Sequence, residues 1–203
     1  MANPALLGSI AADVRTRLDE ASASFWSNDE IRRWINEACR DIARRAEVLP
    51  KLSTIAALAA VRAYTLPTDA IRIYRAEFIP TGQTNIYPLQ YKDYASLDAV
   101  WGSMQQITQG YPQYFTMWGF PPTLQVYLYP VPSTAGTLNV FYYRLPADLA
   151  TDGTGDATAV DIPQGWWDLA AQYCEYVALR KDRNPVWQES KAIYEENLNH
   201  MID

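Results

Sequence analysis

The sequence predicts an α+β protein: a helical bundle made by the N- and C-terminal helices, with an antiparallel β-rich lobe, a small sheet or sandwich, inserted between them. Apolar residues recur at three- and four-residue spacings at both ends of the chain. The middle instead alternates apolar and polar residues in short runs bounded by glycine and proline. Little helix separates these runs, which argues against a parallel sheet fed by crossover helices. The expected bundle takes residues 1–50 and 161–203, and the lobe residues 51–160, in one integrated unit.

Leu6, Leu7, Ile10, Val14 and Leu18 predict a first helix over residues 4–21, with Pro4 near its start where a missing N–H is harmless. Residues 22–26 then turn the chain into the clearest helix, Phe25–Glu47, FWSNDEIRRWINEACRDIARRAE. Ser27 is placed to cap it while Glu30 reaches back, and Asp29 and Glu30 suit the positive end of its dipole. Ile31, Trp34, Ile35, Ala38, Ile42 and Ala46 share one face, which must be buried. The other face carries Arg33, Glu37, Arg40, Asp41, Arg44 and Arg45. Interleaved carboxylates make it a solvated face with weak ion pairs, Arg33/Glu37 and Asp41/Arg45, in preference to a phosphate-binding stripe. Pro50 follows the exit, and the short connection predicts an antiparallel helical hairpin.

Beyond Pro50, residues 52–55 and 61–66 read as extended, and the alanine run 56–60 fits either strand or helix. Leu66-Pro67-Thr68-Asp69 is a turn, since proline drives Leu66 out of the helical region. Residues 71–79 predict a strand, and residues 85–90 pair back on it after Pro80-Thr81-Gly82, with Pro88 marking an edge. Tyr94, Leu97, Val100 and Trp101 give residues 91–101 helical spacing, and Gly102 stops it. Three extended runs follow, 113–118, 124–129 and 137–144, the last two joined as a hairpin by 130–136.

Residues 147–160, ADLATDGTGDATAV, have little to bury. Asp152, Thr154 and Asp156 alternate as in a calcium loop, but Ala157 stands where that loop needs glycine and Pro163 where it needs glutamate. A mobile segment that orders on a partner fits better, with Asp152 and Asp156 as contact candidates. Trp166, Leu169, Ala170, Tyr173 and Val177 predict a helix from 163 to about 182. Asn184-Pro185 breaks it, and Trp187, Tyr194, Leu198 and Met201 mark a last helix.

No catalytic, cofactor or metal pattern stands out. The only histidine, His200, is the fourth residue from the end, and no G-x-S-x-G, H-E-x-x-H, P-loop or dinucleotide fingerprint occurs. Carboxylate pairs among Asp93, Asp98, Asp168 and Glu175 leave a glycan hydrolase as a remote alternative. Cys39 and Cys174 lack metal-ligand spacing and read as reduced, buried thiols. A net charge of −6 argues against a general nucleic-acid-binding surface. No apolar run approaches membrane-spanning length and the N-terminus lacks signal-peptide character, so synthesis in a cytoplasm and no membrane partner are expected. Seven Trp and 14 Tyr are unusually many, and they suit interfaces as well as cores. Tyr111, Tyr114, Phe115, Trp118 and Phe120 form one such cluster, and Trp166-Trp167 sets two indoles about a quarter-turn apart, one for the core and one for a neighbouring segment or subunit.

The order FWSNDEI, WINEA and RDIARR, then YTLPTDAIRI (64–73), LYPVP (128–132), YYRLP (142–146) and Asp161-Ile162-Pro163 leading into Trp166-Trp167 resembles the head-to-tail adaptor proteins of tailed bacteriophages, also called connector, head-completion or tail tubular A-like proteins. The resemblance covers about residues 25–200 and rests on order and spacing together. It implies a non-enzymatic virion protein at the head–tail junction that forms a ring, dodecameric like the portal above it, extends the DNA channel and offers a docking surface to the tail or nozzle. Double-stranded DNA would pass through the lumen without tight binding. A tail-tube or other repeated tail component is the alternative. The family's C-terminal portal-binding element implies Trp187, Tyr194, Leu198 and Met201 as portal contacts, though the chain stops soon after the last helix. Tyr111, Tyr114, Trp118, Phe120, Trp166, Trp167, Asp152 and Asp156 remain as ring or tail contacts.

Overall fold

The computed structural model describes residues 6–20, 22–23, 25–101 and 108–202, except the side chains of Val100 and Trp101. The expected roles of Pro4, Gly102, Val100 and Trp101 therefore fall outside the described residues. In chain order, α1 (Leu7–Arg17) and α2 (Asn28–Ala46) precede β1 (Pro50–Ala57), β2 (Ala63–Thr65), β3 (Ala70–Pro80) and β4 (Tyr87–Tyr91). Then come α3 (Tyr94–Trp101), β5 (Gln109–Gly110), β6 (Tyr114–Trp118), β7 (Gln125–Tyr129), β8 (Val131–Pro132) and β9 (Gly136–Arg144). The chain continues through α4 (Trp167–Lys181) and α5 (Trp187–Ile202). It divides into two compact units, residues 1–49 with 145–203, and residues 50–144. The segment 145–160, expected with the lobe, therefore groups with the helices.

In the helical unit α1, α2, α4 and α5 share one core. Leu7, Ile10 and Val14 of α1 meet Ile31, Ile35, Ala38 and Ile42 of α2, Leu169, Ala170 and Cys174 of α4, and Tyr194 and Leu198 of α5. The start of α2 follows from its cap: Ser27 Oγ accepts the Glu30 N–H at 3.2 Å. Glu30 also takes an ion pair from Lys181. At the other end Glu47 adopts φ 50° and closes the helix. The expected pair Asp41/Arg45 forms at 3.6 Å. The α1–α2 turn is held by Arg15, which donates to Glu20, to the Trp26 carbonyl and to Asn28. Both thiols are free and buried; burial pushes Cys39 up to about 12 and raises Cys174 as well.

The second unit is a seven-stranded sheet in the order β1-β9-β3-β4-β6-β7-β2, with a separate β5-β8 pair. Alternation set the faces as expected: Val126 and Leu128 of β7, and Leu138, Val140 and Tyr142 of β9, all enter one core. Partner choice differs from expectation. The hairpin expected between β7 and β9 is not formed: β7 pairs with β6 and β2, while β9 lies between β1 and β3. The connection 130–136 is taken up by β8, which runs parallel to β5. β4 is not an edge strand either, because its last residues, Gln90 and Tyr91, pair in parallel with β6. Pro88 precedes that pairing and lies opposite Glu77 of β3, so its missing N–H interrupts no β4–β6 bond. The seven-stranded sheet is thus antiparallel except at β4–β6, and the separate β5–β8 pair is parallel.

The ambiguous alanine run finishes β1 and turns at Ala60, φ 60°. Tyr64 of β2 donates its hydroxyl to the Leu58 and Val61 carbonyls and accepts the Leu58 N–H. This draws the two edge strands together and nearly closes the sheet. At the start of β9, a methyl group on Gly136 would sit 2.5 Å from the Ile79 carbonyl oxygen and 2.7 Å from the Phe78 ring. Gly136→Ala should therefore destabilise the fold by about 1–3 kcal/mol, the usual cost of overpacking, read as a lower urea midpoint with an unchanged slope.

Candidate interaction surfaces

Arg32, Asn36 and Arg40 recur every four residues along α2, beside its apolar face. Arg32 is only 9% exposed. Its Nε and Nη2 donate to the two Asp156 oxygens at 2.7 and 2.6 Å, and Nη1 donates to the Thr151 carbonyl at 3.2 Å. Asn36 treats Leu149 as a strand partner would, donating to its carbonyl at 2.8 Å and accepting its N–H at 3.1 Å. Arg40 donates to both Asp148 oxygens at 2.5 Å. From the other side, Leu7 and Gly8 donate to the Thr158 and Asp156 carbonyls.

The segment expected to be mobile is thus stitched to α1 and α2. Sequence reasoning read α2 by its apolar face and placed Arg40 in solvent; the signal it passed over was the four-residue recurrence of long polar side chains. Asp156 is committed to Arg32, whose hydrogen bonds hold its carboxyl below the usual range. Asp152 accepts the Thr154 hydroxyl at 2.6 Å and N–H at 3.0 Å, and is likewise lowered. The two carboxylates turn to different partners, and among the described residues no group of three His, Cys, Asp or Glu could hold a metal.

The expected portal contacts fall into two classes. Tyr194 and Leu198 are 1% and 0% exposed, within the unit's own core. The Tyr194 hydroxyl donates to Asp41 at 2.6 Å, and burial raises its pKa strongly. Neither side chain is available to a partner, because the helix spacing that marked them as a stripe is the stripe the bundle buries. Met201 is 40% exposed, and Trp187 is half-buried under Arg180. Ile193, which the sequence did not single out, is also exposed on α5. Trp166 is buried, and Trp167 packs half-buried against the same core.

In the β-rich unit Tyr111 is exposed and stacks on Tyr87 with ring centroids 5.2 Å apart. Tyr114 packs with Leu97 of α3 and Tyr129. Trp118 is half-exposed, 5.0 Å from Tyr94 and 6.4 Å from Tyr127, and Phe120 is 84% exposed. A second aromatic group was missed: Tyr74 packs on Tyr143 at 4.8 Å and near Phe141, with Arg75 over the Phe141 ring. Its residues come from two strands, so only the β3–β9 register assembles it. No described helix is long and apolar enough to cross a membrane.

A family model described as SU10 adaptor protein matches residues 6–203. No curated protein sequence matches the chain.

Arg32→Ala should cost about 2 kcal/mol at neutral pH, the scale of lost charged hydrogen bonds, with faster amide exchange across residues 151–158. The pH dependence has a definite sign. Asp156 is lowered in the fold, so its contribution is complete above the ordinary carboxylate pKa of about 3.9 and is lost as pH falls through the lower folded value. Melting temperatures below pH 5 should therefore fall more steeply for the parent chain than for Arg32→Ala.

Proposed function

Because the chain belongs to the SU10 adaptor protein family, a family of bacteriophage head-to-tail adaptors, we propose that it forms a ring beneath the portal, extends the DNA channel and presents the surface on which the tail docks. The coarser statement needs no proposal: this is a phage virion component that joins head and tail parts. The observation that carries the finer reading is the family match across residues 6–203, which takes in both compact units. The family is structural and brings no catalytic residue with it.

Three features support the ring. A closed ring needs two different faces on each subunit, and the units differ in chemistry. Residues 1–49 and 145–203 hold 11 Lys and Arg against 19 Asp and Glu, net −8, whereas residues 50–144 hold six against four, net +2. Exposed aromatics, Trp118 and Phe120 foremost, are the side chains that dominate buried contacts between subunits. The acidic balance suits a lumen that DNA passes without sticking. For the portal we propose the exposed side of α5, with Trp187 and Met201 as contacts.

Quantitative mass spectrometry of purified parent particles tests the ring. A copy number near that of the portal protein is expected; a large excess would move the chain to the tail tube, and near-absence would remove it from the virion. Trp187→Ala should lower attachment to portal-bearing heads at least tenfold while leaving the circular dichroism unchanged. Wild-type attachment would exclude Trp187 from the portal contact.

A further inference from the structure

A fifth of the chain is charged, yet no Asp, Glu, Lys, Arg or His occurs between Asp98 and Arg144, a run that supplies β5 to β8 and all of β9 but its last residue. None occurs between Glu77 and Lys92 either, a run that holds the end of β3, the turn after it and β4. Depletion of charge together with enrichment in aromatics is the compositional mark of the centre of a protein interface. Two exposed patches lie in these runs. The first is the β6–β7 turn, where Trp118 is half-exposed and Phe120 is 84% exposed. The Thr123 N–H and hydroxyl both donate to the Phe120 carbonyl, at 2.9 and 3.2 Å, with Pro121 and Pro122 between them. Phe120 is thus held out on a turn that is already ordered, so docking it costs little further entropy. The second patch is the Tyr87–Tyr111 stack. Gln83 Nε2 donates to the Tyr111 hydroxyl at 3.3 Å, and Ile86 beside Tyr87 is 55% exposed.

The two patches lie at opposite ends of one ladder. β4 and β6 run parallel with Gln90 beside Tyr114, so Tyr87 and Tyr111 precede the paired residues while Trp118 and Phe120 follow them. The five residues of β6, at about 3.3 Å each, keep the ends apart. This arrangement selects the occupant. A foreign partner needs one docking patch. A chain that repeats head to tail needs two different ones, each free of the charge that makes copies of net −6 repel one another. We infer that the Phe120 turn of one copy docks on the Tyr87–Tyr111 patch of the next. This rests on the ring reading and names the contact that closes it, made between the β-rich units of adjacent copies.

Parent-phage particles carrying both Thr123→Cys and Gln83→Cys give the test, because the two positions are exposed beside the two patches whereas Cys39 and Cys174 are buried. A short bis-maleimide should join the doubly substituted chains into a ladder of two, three and more copies, each link running from position 123 to position 83. Either substitution alone should leave single chains. Dimers from either single variant would mean a two-fold contact and overturn the inference. A link to the portal or a tail protein, one confined to single chains, or none at all would overturn it too. Phe120→Ala gives an independent arm: it should keep the parent melting temperature and enter particles at least tenfold less. Incorporation of Phe120→Ala at the parent level would also overturn the inference. Copy number in unmodified particles separates the two failures: a portal-matched count with no link between positions 123 and 83 removes only this contact, whereas an unmatched count removes the ring.

Discussion

The clasp between α2 and the segment 148–156 is the constraint on which the helical unit depends. α2 is 19 residues long and buries one apolar stripe, but Arg32 and Asn36 beside that stripe are buried too, at 9% and 7% exposure. Polar side chains so placed destabilise a fold unless each finds a partner. The loop supplies them in register: a carboxylate and a carbonyl for Arg32, a peptide unit for Asn36, a carboxylate for Arg40. A segment with almost no apolar side chains is thereby ordered by hydrogen bonds. The bidentate Arg32–Asp156 geometry fixes direction as well as distance. Gly155 fits the same design, since a methyl there would lie 2.7 Å from the Ala150 carbonyl oxygen.

That constraint reaches the start of the chain. Asp156 accepts Arg32 with its side chain and the Gly8 N–H with its backbone, and Thr158 accepts Leu7. These are orphan donors at the first turn of α1, which has no side-chain cap of its own. The loop therefore caps one helix while clamped to another, and it holds both on the core they share with α4 and α5. For an adaptor, a unit braced in this way can present a surface without deforming.

How much of this was legible follows from what each signal encodes. Local signals read well: Ser27 before α2, alternation in β7 and β9, and the Asn184-Pro185 break each act within a few residues. Alternation fixes which face of a strand is buried, but says nothing about which strand lies alongside it. The β7–β9 pairing was therefore expected from proximity in sequence and replaced by β6–β7 and β3–β9. The Tyr74–Tyr143 cluster shares that origin. Periodicity likewise could not separate Tyr194 and Leu198, which fill the bundle, from Met201, which leaves it, because all lie on one helical repeat.

Ion pairing shows what most of the helical unit's arginines do. Phosphate affinity comes from cations free to displace counterions. In the helical unit Arg15, Arg17, Arg32, Arg40 and Arg45 are each paired with carboxylates of that unit. These cations serve the fold, and the excess that remains is negative.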